Sequence, residues 1–120
     1  MGKNWTIIEG NLTYISDGYY GIWGLNSANE ILYRTGINKN NLKGEGWIKI
    51  DGKMKSISVG KTGVFDLNEN RDIFYRKGIN NFNYIVNEWI KIEGKFKDIS
   101  AGLFAIFCIK DNDEIFVRVN

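Results

Sequence analysis

One phrase recurs along this chain at a fixed interval. "WTIIEGNLTYISDG" from residue 5, "WIKIDGKMKSISVG" from residue 47 and "WIKIEGKFKDISAG" from residue 89 open on tryptophans one constant period apart (47 − 5 = 89 − 47 = 42). The same period superimposes Gly10, Gly52 and Gly94; Ile15, Ile57 and Ile99; Ser16, Ser58 and Ser100; and Arg34, Arg76 and Arg118. A repeat of this length is one supersecondary unit that cannot bury its apolar residues alone and must stack on its copies. The chain is therefore read as a single domain of three repeats, 5–46, 47–88 and 89–120.

Each repeat breaks into short apolar stretches bounded by Gly, Asn and Asp, the pattern of strands and tight turns. In the second copy these are "KSISVG", "GVFDLN", "DIFYRK" and "WIKIDG". No segment carries helical spacing with caps, so four short strands per repeat is the economical reading. Several strands are apolar on both faces, as in Val64, Phe65 and Leu67, which requires cover on both sides of the sheet. A small four-stranded sheet covered by its own copies is a propeller blade, and this period falls in the range of such blades.

The strings "GNLTYISDGYYGIWGLNSANEILYRTG" and "GKMKSISVGKTGVFDLNENRDIFYRKG", each preceded by Trp-x-x-Ile, resemble tectonin repeats. That pattern runs W-x-x-I-x-G-x-L-x-x-I-S-x-G, then G-V-W-G-V-N, then I-Y-x-R-x-G. The third copy departs from it in its second strand, "LFAIFCIK". The resemblance implies an all-β propeller in which "KSISVG" is the innermost strand of its blade and "WIKIDG" the outermost. By that order the chain opens on an outermost strand, "WTIIEG", and stops after a third strand, so one blade is divided between its ends. Three blades are too few for a ring, since propellers have about four to eight. The expectation is a homodimer forming a six-bladed ring, in which residues 5–9 of each chain complete the blade made by residues 96–119 of the other. The alternative with three four-stranded repeats is a monomeric β-trefoil.

Composition narrows the function. The 16 basic and 14 acidic residues are interspersed, so no phosphate-tracking stripe exists and nucleic acid is not an expected partner. No apolar run approaches the roughly 20 residues of a membrane helix, and "MGKNWT" has no signal-peptide hydrophobic segment. The sequence reads as a soluble protein, cytoplasmic or secreted without a visible signal, that does not insert into membranes. There is no histidine, and the single cysteine, Cys108, lies in the apolar string "AIFCIK". Zinc sites, Ser-His-Asp triads and Cys-His pairs in their usual forms are thereby removed, and no cofactor, metal or enzyme activity is expected.

Binding remains, and the resemblance implies glycans. Proteins similar to tectonins are often lectins with pockets between neighbouring blades, some recognising N-acetylglucosamine-type or O-methylated sugars. A sugar needs an aromatic platform for its C–H face and directional amide, carboxylate or guanidinium groups for its hydroxyls. The candidates are the repeated Trp5, Trp47 and Trp89, the mixtures Tyr33, Arg34 and Asn26 in the first repeat and Tyr75, Arg76 and Asn68 in the second, and Arg118 in the third. Tyr20 and Trp23 add an aromatic cluster peculiar to the first repeat. Structural roles compete with these. The tryptophans suit packing between blades, the asparagines suit turns, and each arginine follows an acid four residues earlier, at Glu30, Asp72 and Glu114, as in a structural ion pair or a backbone clamp. The Asn-rich loops "GINKNNLKGEG" and "GINNFNYIVNE" should project and suit recognition.

Overall fold

The computed structural model describes residues 4–18, 21–61, 63–77, 88–103 and 105–119. Among these there is no helix, and eleven strands form three antiparallel sheets. Blade 1 contains β1 (Tyr14–Gly18), β2 (Gly21–Leu25), β3 (Glu30–Thr35) and β4 (Gly46–Lys53). Blade 2 contains β5 (Ser56–Val59), β6 (Gly63–Leu67), β7 (Asp72–Lys77) and β8 (Ile90–Lys95). Blade 3 contains β9 (Asp98–Ala101), β10 (Ala105–Ile109) and β11 (Ile115–Val119), with no fourth strand among the described residues. Each sheet is a meander, and the tryptophan strand lies at the far edge from the Ile-Ser strand in blades 1 and 2.

Turn chemistry explains why the meander repeats. Asn26 Oδ1 accepts hydrogen bonds from the backbone N–H groups of Ala28 and Glu30, and Asn68 Oδ1 accepts from that of Asp72. Both asparagines thus close the β2–β3 and β6–β7 turns, as such side chains do. Asn29 and Arg71 at the turn tips adopt φ of 62° and 69°. Their carbonyls accept the N–H groups of Met54 and Phe96, tying each turn to the start of the next blade.

The repeated glycine after the tryptophan strand has a second cause. Lys53 pairs with Glu30 while Ile50 pairs with Ile31, so Asp51 and Gly52 form a bulge in β4, and Gly52 sits at φ 104°. The same register shift occurs in β8 around Gly94, at φ 115°. A bulge bends its strand and re-aims a side chain; here it turns Asp51 away from its own sheet toward blade 2.

Two apolar cores lie between the sheets. Trp23, Leu25, Ile31, Tyr33 and Ile50 of blade 1 pack on Met54, Ile57, Val59 and Val64. Phe65, Leu67 and Ile73 of blade 2 pack on Ile99, Ile106 and Cys108 of blade 3. Blade 2 is covered on both faces, whereas the outer face of blade 3 leaves Phe107, Ile115 and Val117 exposed and that of blade 1 leaves Ile15 exposed. This stacking of meander sheets is propeller-like. The innermost strands are latched by the repeated serines, with Ser16 Oγ accepting Val59 N–H and Ser58 Oγ accepting Ala101 N–H at 3.1 and 2.8 Å.

Candidate functional site

The repeated tryptophan and arginine form a clasp between successive units. Arg76 of β7 lies under the Trp89 ring, 4.8 Å from its centroid, and donates from Nη2 to Asp51 Oδ1 at 3.2 Å. Trp89 Nε1 donates to the carbonyl of Asp51 at 2.8 Å. The bulged Asp51 therefore holds both members of the pair in the following blade. The same clasp joins Arg34, Trp47 and Glu9: the guanidinium is 5.0 Å from the indole centroid, Nη1 and Nη2 donate to the two carboxylate oxygens of Glu9, and Trp47 Nε1 donates to the Glu9 carbonyl at 2.7 Å. Arg34 Nε also donates to the Lys43 carbonyl at 2.8 Å. The Arg34 hydrogen bonds hold the Glu9 carboxyl below its ordinary range.

This corrects one reading of the sequence. The acids four residues before the arginines do not pair with them. Glu30 pairs with Lys49, and Asp72 with Lys91 and Lys95, because residues four apart in a twisted strand lie too far along the chain to meet, while the preceding unit's bulge meets the arginine directly. Lys49 and Lys95 lower the carboxyl pKa of Glu30 and Asp72 respectively. The true partners, Glu9 and Asp51, carry a legible signal: an acid immediately before a repeated glycine.

Burial decides which predicted residues can reach a ligand. Trp23 is fully buried and stacks on Tyr33 at 5.1 Å and edge-on to Trp89 at 6.2 Å, so the expected aromatic platform is core. Tyr33, Arg34 and Arg76 are buried, and Asn26 and Asn68 are engaged in their turns. Trp47, Tyr75 and Trp89 are half-buried at the seams, with Tyr75 stacked on Phe65 at 4.8 Å. Trp5 is fully exposed and Arg118 is exposed. Tyr20, like Phe82 and Tyr84 of the second Asn-rich loop, lies outside the described residues. The first loop is anchored through the Lys43 carbonyl and a Glu45 N–H bond to the Thr35 carbonyl.

The accessible polar site lies elsewhere, in a cleft of about 400 Å³ between blades 1 and 2 at the β2–β3 and β6–β7 turns. Asn29, Lys53, Asn68, Glu69 and Asn70 line it, and Met54 supplies an apolar wall. Asn29 Nδ2 donates to Glu69 Oε1 at 3.1 Å across the seam, which orders both groups while leaving amide, carboxylate and ammonium functions facing one space. In the next seam the corresponding turns are bridged by the Arg71–Asp111 ion pair, beside an open cleft of Glu69, Asn70, Arg71 and Lys95. Asn68 was legible as a candidate; Asn29, Lys53, Glu69 and Asn70 were not, because a turn-tip side chain becomes a site only when a second turn faces it. Among the described residues no group of His, Cys, Asp and Glu is placed to hold a metal. Burial pushes the Cys108 thiol up to about 11, which leaves it a poor nucleophile.

A family model for the tectonin domain matches residues 1–89. The chain belongs to the tectonin domain family. Solved structures give an independent view of the fold. This tectonin chain superposes on yeast RCC1 (Prp20) bound to Kap60 with a TM-score of 0.61 at 14% identity, over 89% of this chain and 32% of that one. It superposes on Prp20p from Saccharomyces cerevisiae, in a structure whose description includes binding to Gsp1p and histones, with a TM-score of 0.63 at 13% identity, over 89% of this chain and 33% of that one. At such identity these likenesses bear on the propeller-like fold alone. The tectonin chain spans about a third of the length of those proteins. No curated protein sequence matches it. No helix among the described residues is long and apolar enough to cross a membrane.

Proposed function

We propose that this tectonin chain is a carbohydrate-binding propeller subunit, two copies of which close a six-bladed ring, and that sugars bind in polar clefts between blades. The observation that carries this reading is the cleft of Asn29, Lys53, Glu69 and Asn70 against Met54. Sugar hydroxyls need donors and acceptors converging from more than one direction, and here two turns from different blades supply them. Shallow single sites are weak, and repetition around a rigid ring raises avidity without new contacts. N-acetylglucosamine-type and O-methylated sugars are the first ligands to try, on the family resemblance.

A glycan array followed by calorimetry with the competing free sugar tests the reading. Asn70→Ala and Glu69→Gln are expected to lower affinity at least tenfold with unchanged thermal stability, because both side chains are exposed at a turn. Undiminished affinity in both would move the site away from this cleft. A second reading is a protein-interaction propeller, since the fold offers a binding platform and does not by itself fix the ligand. Silence across a broad array would favour it.

A further inference from the structure

We propose that the cleft between blades 2 and 3 is the seat of Trp5 from a second copy of this chain, and that this indole completes a third Trp–Arg–acid clasp with Arg118 and Glu93. The inference rests on the two-chain ring proposed above and names the contacts that close it.

The cleft encloses about 400 Å³ and is lined by Phe65, Tyr75, Ile90, Glu93, Ile106 and Arg118. Every one of these residues is one repeat period after a residue that surrounds Trp89 in the preceding seam. Phe65 answers to Trp23, Tyr75 to Tyr33, Ile90 to Ile48, Glu93 to Asp51, Ile106 to Val64 and Arg118 to Arg76. In that preceding seam Trp89 is present, packed on this core, with Arg76 beneath it and the Asp51 carbonyl on its N–H. By the repeat, Trp5 is a further counterpart of Trp89.

Trp5 is fully exposed and Ile7 almost so, and residues 4–13 belong to no strand. Trp47 and Ile50, the counterparts of Trp5 and Ile8, lie in β4, paired with Arg34 and Ile31 of β3. Transferred to blade 3, that register sets Trp5 opposite Arg118, Thr6 opposite Val117 and Ile8 opposite Ile115. The same addition would cover the open edge of β11, whose Ile115, Val117 and Val119 are exposed. An unpaired apolar edge is a template for a further strand.

Trp5 of the same subunit cannot reach this cleft. Glu9 is held by Arg34 of blade 1, and blade 2 separates blade 1 from blade 3. Stacked sheets lie about 10 Å apart, so blade 3 is roughly 20 Å away, beyond the ~14 Å that four extended residues span. A second copy presents what the seam lacks. Ile15 and Ile22 of its blade 1 stand where Ile57 and Val64 close the first core, facing Phe107, Ile115 and Val117. Ser100 is then placed to accept the Asp17 N–H of that copy, repeating the latches at Ser16 and Ser58. The two seams of such a dimer are identical by symmetry.

Sedimentation equilibrium with site-directed cross-linking tests this. The wild-type chain is expected at twice 13.8 kDa. Trp5→Ala should leave the circular dichroism of the subunit unchanged, since Trp5 is fully exposed in its own chain. It should weaken the dimer by about thirtyfold at each seam and so roughly a thousandfold in dissociation constant. Thr6→Cys with Val117→Cys should form a covalent dimer under mild oxidation, while Thr6→Cys with Ile115→Cys, out of register by two residues, should not. A wild-type dimer that survives Trp5→Ala and gives no in-register cross-link overturns the Trp5 seam and leaves the ring to another contact. A wild-type monomer overturns both seam and ring, and the glycan array still decides the sugar reading separately.

Discussion

Arg34 and Arg76 occupy equivalent places in the repeat, yet the structure expects their removal to cost very different amounts. Arg34→Ala loses a hydrogen bond from a charged donor to the Lys43 carbonyl, about 2 kcal/mol. It also loses a forked pair with exposed Glu9, about 1 kcal/mol at most, and the indole contact, about 1 kcal/mol. The sum is about 4 kcal/mol. Arg76→Ala loses one hydrogen bond to exposed Asp51 and one indole contact, about 2 kcal/mol together. Against this, Nε and Nη1 of Arg76 are buried with no hydrogen-bond partner among the described residues, and deleting them relieves about 1 kcal/mol each. The net for Arg76 is near zero and the difference about 3–4 kcal/mol, the aliphatic stems being common to both. Urea denaturation of the two variants, at one protein concentration and one pH, measures it. With a slope near 2 kcal/mol/M the midpoints should differ by about 1.5–2 M. Equal midpoints, or a lower one for Arg76→Ala, would refute the claim that hydrogen-bond satisfaction rather than position in the repeat sets the value of each clasp.

Asp66 gives a pH-dependent prediction. It is wholly buried with neither carboxylate oxygen bonded among the described residues, and burial drives its pKa well above the ordinary value despite the attraction of Arg76. The folded state therefore holds this proton more tightly than the unfolded chain, so stability is greatest below the unfolded carboxyl pKa and declines as pH rises through the folded one. Asp66→Asn should flatten that decline and raise the melting temperature at pH 7 more than at pH 4; an unchanged pH profile by calorimetry would count against it. Two glycines separate crowding from entropy. A Cβ at Gly63 would stand 2.3 Å from the Arg76 carbonyl oxygen, whereas at Gly46 the nearest atom is 3.9 Å away and φ is ordinary. Gly63→Ala should destabilise by about 2 kcal/mol or more and Gly46→Ala should stabilise by up to about 1 kcal/mol in the same denaturation assay, and the reverse order would show that the hairpin relaxes freely.

The repeat period and the strand punctuation were enough to read an all-β chain of four-stranded units, because alternation, turn residues and self-similarity are local in the sequence, while the edge position of the tryptophan strand followed from the tectonin resemblance. Asn26 and Asn68 as turn residues were legible for the same reason. The partner of each arginine was not, since it depends on a bulge that carries Glu9 or Asp51 out of its own sheet and into contact 25 residues later. Nor was the division of the aromatics, where the repeat offers Trp5, Trp23 and Trp47 alike and packing buries Trp23, half-buries Trp47 and leaves Trp5 bare. By itself the sequence determined that this chain repeats one strand-rich unit at a period of 42 residues (89 − 47), because periodicity needs no knowledge of contacts. Only the tertiary structure decided that the repeated Trp–Arg pairs hold blades together and that the polar cleft is made of turn tips, because both are set by which blade faces which.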